Sequence, residues 1–300
     1  MTANCVSDKT SQPNIQLDIQ QVKPKSSQTS TGSELWQSIQ TVLSLRKSAP
    51  PLVAVPRDRA IAASFTQERL FWLNQLAPEN AAYNIPFAFR IEGELDLSAL
   101  QRSLCALIER HESLRATFQV CDGVPMVVGQ SPAMPLSIID LRQSSQPSLT
   151  YIDQLLSEEA RSPFNLTTGP LFRAKLFQLA GQEYILTLTV HHIVFDGWSE
   201  GILLQDLSAF YDASCTGKNP DLSDLSVQYA DFASWQRQWL QGDVLDTLQT
   251  YWKGQLADAL HDLSLPLDRP RKPGWQACQS ACRSFVLSQE LTTALKSLSR

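Results

Sequence analysis

Large apolar side chains are sparse over residues 1–32, where Ser, Thr, Gln and Lys dominate. Such a segment buries too little surface to offset its ordering entropy, so a disordered tail is expected. Leu35, Trp36, Ile39, Val42 and Leu43 then recur at helical spacing behind Ser33, a fitting N-cap. They predict a short helix that either packs or docks on a partner. Pro50, Pro51 and Pro56 mark a linker, so residues 33–62 read as a short helix and a proline-rich connection. From Ser64 the pattern becomes globular. Ser64 and Gln67 form a capping box for a helix to about Leu76. Alternation over YNIPFAFRIEG (83–93) predicts a strand, and Leu97, Leu100, Leu104, Leu107 and Ile108 line one stripe of the next helix. LRATFQV, VPMVVG and LSIIDL read as short strands, followed by a helix near 150–160. LFRAKLFQLA and YILTLTVHHIVF predict a hairpin through Gly181, with helices from about 199 and over roughly 228–256. Beyond the proline-rich LPLDRPRKPGW, SFVL predicts a strand. A last helix runs into Arg300 without a Gly or Pro stop, which points to a truncated product. No internal repeat is visible, and the mixture predicts an α+β layered domain with a largely antiparallel or mixed sheet.

Composition narrows the function classes. The chain has 300 residues, 43% of them hydrophobic, enough for a real core. Its 25 basic and 30 acidic residues give a net charge of −5 with no block of like charge, which disfavours a nucleic-acid surface built on phosphate contacts. The start of the chain has no apolar stretch resembling a signal peptide, and no segment approaches the roughly 20 apolar residues of a spanning helix. A cytoplasmic location and no membrane partner are expected. Of the cysteines at 5, 105, 121, 215, 278 and 282, only Cys278 and Cys282 are close, without a histidine nearby. Reduced structural thiols are the expectation, and no metal site.

Candidate chemistry gathers at HHIVFDGWS (191–199), where a strand gives way to a helix. Leu186, Leu188, Val190 and His192 would share one strand face and Thr187, Thr189 and His191 the other. Adjacent imidazoles on opposite faces cannot both enter one pocket, so one is available for catalysis and the other is fixed by hydrogen bonds. The same opposition argues against convergent metal ligation. Asp196 can cap the following helix, and Gly197 permits close backbone approach. Arg69 shares a helix stripe with Leu73 and Leu76 and, on an apolar face, needs a carboxylate; Asp196 is a candidate, and snorkelling to solvent is the alternative. GWSEG (197–201) formally matches a nucleophile elbow, with Asp231 and His261 downstream. Ser199, however, falls in the first helical turn instead of directly after the strand, and the alternating strand–helix rhythm of a parallel hydrolase sheet is missing.

With these residues in view, the sequence resembles the condensation domains of non-ribosomal peptide synthetases. SFTQERLFWL (64–73), RHESLRATF (110–118), HHIVFDGWS (191–199) and QYADFASWQ (228–236) resemble four of the family's motifs, in its order. The resemblance implies a chloramphenicol acetyltransferase-like layered α/β sandwich with two lobes in a V around a tunnel. Residues 63–240 would form the first lobe, with 241–300 the crossover and the opening of an incomplete second lobe. It implies amide formation between a donor acyl or peptidyl thioester and an acceptor aminoacyl thioester. Both arrive on the phosphopantetheine arms of carrier proteins, with no cofactor bound directly. Donor and acceptor peptidyl carrier proteins and a neighbouring adenylation domain are the implied partners. His192 would face the tunnel, taking a proton from the attacking amine or positioning it while stabilising the tetrahedral intermediate. His191, Asp196 and Arg69 carry over as structural, the last two as a salt bridge, and Gly197 as room beside the reacting centre.

The intact HHxxxDG pattern resembles the peptide-extending class more than the cyclising one. Further second-lobe motifs are not found before Arg300, so a fragment exposing an apolar lobe interface is expected. Two alternatives use the same residues: a free-standing acyltransferase taking a soluble acyl-CoA, and an inactive carrier-docking remnant.

Overall fold

The computed structural model describes residues 49–130, 136–142, 149–259, 266 and 285–299. The tail at 1–32 and the helix expected behind Ser33 lie outside the described residues.

The capping box opens helix α1 (Phe65–Leu76): Gln67 N donates to Ser64 Oγ at 3.2 Å, and Ser64 N donates to Gln67 Oε1 at 3.1 Å. The buried stripe of α1 is Gln67, Leu70, Phe71 and Asn74, not the one through Arg69, Leu73 and Leu76. Gln67 is anchored inward by its hydrogen bonds, and at 3.6 residues per turn a position two residues later lies on the far side. Arg69 is therefore exposed, as is Leu76.

Two sheets follow. Strands β1 (Ile61–Ala62), β3 (Ala116–Cys121) and β4 (Val124–Gln130) make a small sheet in the order β1-β4-β3. The larger sheet contains β2 (Asn84–Glu92), β5 (Ser137–Asp140), β6 (Phe172–Ala180) and β7 (Glu183–His191), ordered β2-β7-β6-β5. All its pairings are antiparallel except β5 with β6, the mixed sheet expected from the sequence. The hairpin turns at Gly181, whose φ of +48° lies in the region that glycine enters most easily.

Register gives the larger sheet two distinct faces. Ile85–Val190–Phe172, Phe87–Leu188–Ala174 and Phe89–Leu186–Leu176 are cross-strand rows of one apolar face. They join a single core with Leu100, Leu104 and Leu107 of α2 (Leu97–Arg110) and Leu203 and Leu207 of α4 (Gly197–Thr216). The other face is polar, with rows Asn84–His191, Pro86–Thr189–Arg173 and Ala88–Thr187–Lys175. Helix α3 (Leu149–Arg161) lowers Glu159 onto it, where the carboxylate takes Arg173 Nε at 2.8 Å and pairs with Lys175. Burial raises the Glu159 pKa, but the two cations outweigh it and hold the group below the usual carboxylate range.

The helix expected over 228–256 is two, α5 (Tyr229–Trp239) and α6 (Gly242–Gln255). The break falls at Gly242, with φ +53°, because a helix cannot run through a left-handed residue. The expected proline-rich linker is part of the domain. Trp235 Nε1 donates to Pro50 O at 2.6 Å, Val55 N to Asp231 Oδ1 at 2.8 Å, and Arg57 pairs with Asp231 and Glu112. A second compact unit, Ser264–Arg300, contains α7 (Gln289–Leu298), capped by Ser288. Phe285–Leu287, expected as strand, is irregular.

Leu188 is fully buried in the central strand, so Leu188→Ala removes a methyl cluster that its neighbours cannot replace. Urea unfolding of this variant should show a stability loss of about 2–5 kcal/mol; a loss below about 1 kcal/mol would contradict this packing.

Candidate functional site

The twofold repeat of a strand forces neighbouring side chains apart, and β7 ends where that matters. His191 N donates to Leu171 O at 3.0 Å on one side, and His192 N donates to Tyr83 O at 2.8 Å on the other. The chain then turns, with Val194 N bonded to His191 O at 3.1 Å, and enters α4 at Gly197.

The two imidazoles meet opposite environments. His191 is 2% exposed, edge-on to Phe164 at 5.9 Å between ring centres and 6.3 Å from Tyr83. Its Nδ1 accepts the Ile193 N–H at 3.1 Å, which leaves the ring proton on Nε2. Burial, reinforced by the neighbouring His192, lowers its pKa from 6.5 to about 4, so the ring is neutral near pH 7. His192 is exposed, and its imidazole makes no hydrogen bond among the described residues. One histidine is a fixed structural wedge. The other is free to meet a ligand.

The loop between them is held at its backbone. Gln67, 3% exposed, donates from Nε2 to Ile193 O at 3.2 Å, while His191 takes the N–H of the same residue. Asp196 Oδ1 accepts from Trp198 N, Ser199 N and Ser199 Oγ at 3.1, 3.0 and 2.7 Å, closing the N-terminus of α4. The expected Arg69–Asp196 bridge is not formed. Arg69 projects from the exposed side of α1 and makes no ion pair among the described residues, while the Asp196 carboxylate serves the helix cap. A Cβ built at Gly197 would meet no atom within 4 Å, so the described residues leave this position uncrowded.

The hydrolase-like alternative finds no support in the geometry. Ser199 is the third residue of α4 and bonds Asp196. Asp231 is 1% exposed and engaged by Arg57 Nη1, Val55 N and Gln228 N. His261 lies outside the described residues. Cys105, Cys121 and Cys215 are free thiols; Cys5, Cys278 and Cys282 are outside the described residues. Among the described residues, no three His, Cys, Asp or Glu side chains are grouped to hold a metal.

Sequence reasoning missed the carboxylate that ties α2 to α4. Asp206, 4% exposed, accepts from Arg110 Nε at 2.9 Å and lies 2.8 Å from His111 Nε2. The signal was an acid between Leu203 and Leu207 on the buried stripe of α4, a position that demands a partner. Gln228 then donates to Arg110 O at 2.9 Å and accepts from Glu112 N at 3.2 Å, and Ser64 Oγ meets Tyr229 Oη at 3.1 Å. All four motif segments are thereby cross-linked around the His191–Asp196 loop. A model of the condensation-domain family matches residues 58–300. The chain belongs to the condensation-domain family.

Relatives of this condensation domain are far longer synthases and synthetases. It is 46% identical over 253 residues to a linear gramicidin synthase polypeptide of Brevibacillus parabrevis, covering 83% of this chain and 3% of that protein. Over 256 residues it is 40% identical to phosphinothricin tripeptide synthetase PhsC of Streptomyces viridochromogenes, covering 83% and 23%. Among solved structures it resembles the X-domain from teicoplanin biosynthesis, with TM-score 0.64, 30% identity, and 74% and 49% of the two chains covered. The starter condensation domain of rhizomide synthetase RzmA gives TM-score 0.60 and 25% identity, covering 68% and 49%. The chain thus spans a small part of its curated relatives and about half of each solved chain. No helix among the described residues is long and apolar enough to cross a membrane.

Burial of neutral His191 has a pH signature. Above pH 6.5 the ring is neutral in both the folded and unfolded chain; between pH 6.5 and about 4 only the unfolded chain takes up the proton. Stability falls across that window by up to about 1.4 kcal/mol per pH unit and levels off below it. Urea unfolding between pH 7 and 4 should show a steeper fall for the native chain than for His191→Asn, the difference being the share of His191. Parallel profiles would show that His191 is not buried.

Proposed function

We propose that this condensation domain supplies the histidine-bearing side of an amide-forming site. The observation that carries the reading is the contrast at the end of β7: His192 exposed, its imidazole without a hydrogen-bonding partner among the described residues, directly beside a buried, neutral His191. A loop fixed at Ile193 and Asp196 holds that free imidazole in one place, which is what a group acting on a passing substrate requires. The relatives' names support a peptide-joining chemistry, gramicidin and a tripeptide among them.

In the reaction proposed, the α-amine of an acceptor aminoacyl thioester attacks the carbonyl carbon of a donor acyl or peptidyl thioester. A C–N bond forms, the carbonyl becomes a tetrahedral oxyanion, and the amine gives up a proton. Collapse breaks the C–S bond, and the donor sulfur leaves as thiolate and takes a proton. The lengthened chain remains on the acceptor thioester. His192 hydrogen-bonds the attacking amine, receiving its proton or holding it in line while the intermediate forms; an amine with a pKa near 8 is already partly neutral. Both thioesters would come on phosphopantetheine arms of carrier proteins, and an adenylation domain would load the acceptor. Residues 63–240 would be the first lobe and 241–300 the crossover toward a second.

His192→Ala should lower the rate of condensation between two loaded carrier proteins by about 10²–10⁴-fold. Ser199→Ala, which loses only a capping hydroxyl, should retain most of it. Unchanged product formation by His192→Ala overturns the assignment. Turnover of soluble acyl-CoA without carriers would favour a free-standing acyltransferase, and carrier binding without product from any donor would favour a docking remnant.

A further inference from the structure

The polar face of the larger sheet holds two buried groups of complementary chemistry. Asn84 lies directly opposite His191 in the β2–β7 register, so their side chains share one face about 5 Å apart at Cβ. The Asn84 amide nitrogen donates to Ala160 O and Ser162 O, both at 2.8 Å. Two carbonyl acceptors fix which end of the amide is nitrogen, so Oδ1 is the free acceptor. Across the strand, His191 Nδ1 is occupied by Ile193 N–H, so Nε2 carries a proton. Asn84 Oδ1 and His191 Nε2 are both buried, and neither has a hydrogen-bond partner among the described residues. A buried donor and a buried acceptor left unmade are each expensive, and these two are complementary. Thr189 Oγ1, two residues back on the same face, is a third buried polar atom in this state.

We propose that Asn84 Oδ1 is the acceptor for the His191 Nε2 proton, directly or through one water that Thr189 Oγ1 also holds, and that Asn84 is thereby a positioning residue for the loop carrying His192. Through it the C-terminus of α3, gripped at Ala160 and Ser162, sets the angle of the His191 ring; the ring sets Ile193, and Ile193 sets the neighbouring His192. The link to catalysis rests on the reading of His192 given above; the link to His191 does not.

The test is nitrogen-15 NMR of the histidine rings in the whole chain, for the native protein, Asn84→Asp and Asn84→Ala. The charged and titratable groups around His191 are His192 in the loop, Glu159 on α3, Arg173 and Lys175 on β6, and Tyr83 before β2; none of them is altered. The native ring should be protonated at Nε2 alone. In Asn84→Asp a carboxylate stands where Oδ1 stood, and the His191 titration should rise by ~1 pH unit or more. In Asn84→Ala the Nε2 proton should exchange with solvent about tenfold faster or more. A native ring protonated at Nδ1, or an unchanged titration in a folded Asn84→Asp, overturns the proposal. If Asn84→Asp fails to fold, the native ring and Asn84→Ala still decide it. These readouts need no turnover, so an active His192→Ala would overturn the functional reading alone.

Discussion

Two histidines in succession at the end of a strand cannot have the same surroundings, and the rest of the site follows from that constraint. His191 goes inward, where no carboxylate pairs with it among the described residues, so it stays neutral and is held by hydrogen bonding and by the rings of Phe164 and Tyr83. His192, one residue on, is turned outward and left free. In this chain the strand end thus exposes one imidazole and buries the other.

A free imidazole at a strand end would wander if the following loop were loose, and the motifs far away in sequence prevent that. Gln67 fixes Ile193 from α1, and α1 is tied to α5 through Ser64 and Tyr229. Gln228, at the start of α5, grips the end of α2, which Asp206 binds to α4, the helix that leaves the loop. Buried ion pairs such as Arg110–Asp206 add little net stability over an apolar pair, but removing one partner strands the other. Their effect is to fix which surfaces of α2 and α4 meet.

Much of this was legible in the sequence, and the failures have physical causes. Alternation placed β2 and the Gly181 hairpin, and the strand's period of two separated His191 from His192 without any structure. The Ser64 capping box is a local signal, and the helix opens on it. Apolar periodicity groups Arg69 with Leu73 and Leu76, whereas α1 is rotated by what Gln67 bonds 126 residues away, which no local pattern encodes. The linker reading of Pro50–Pro56 failed for the same reason, since its partners Asp231 and Trp235 lie beyond residue 230. Proline density marks the absence of helix, not the absence of order. The break before α6 was announced by Gly242, outweighed by the apolar residues on either side.

His191 is shielded and His192 is open. Brief treatment of the folded chain with a histidine-acylating reagent, followed by fragmentation of the peptide containing both rings, reads that difference residue by residue. Modification at His192, with His191 protected until the chain unfolds, is expected. Equal modification of both, or modification of His191 first, would contradict it.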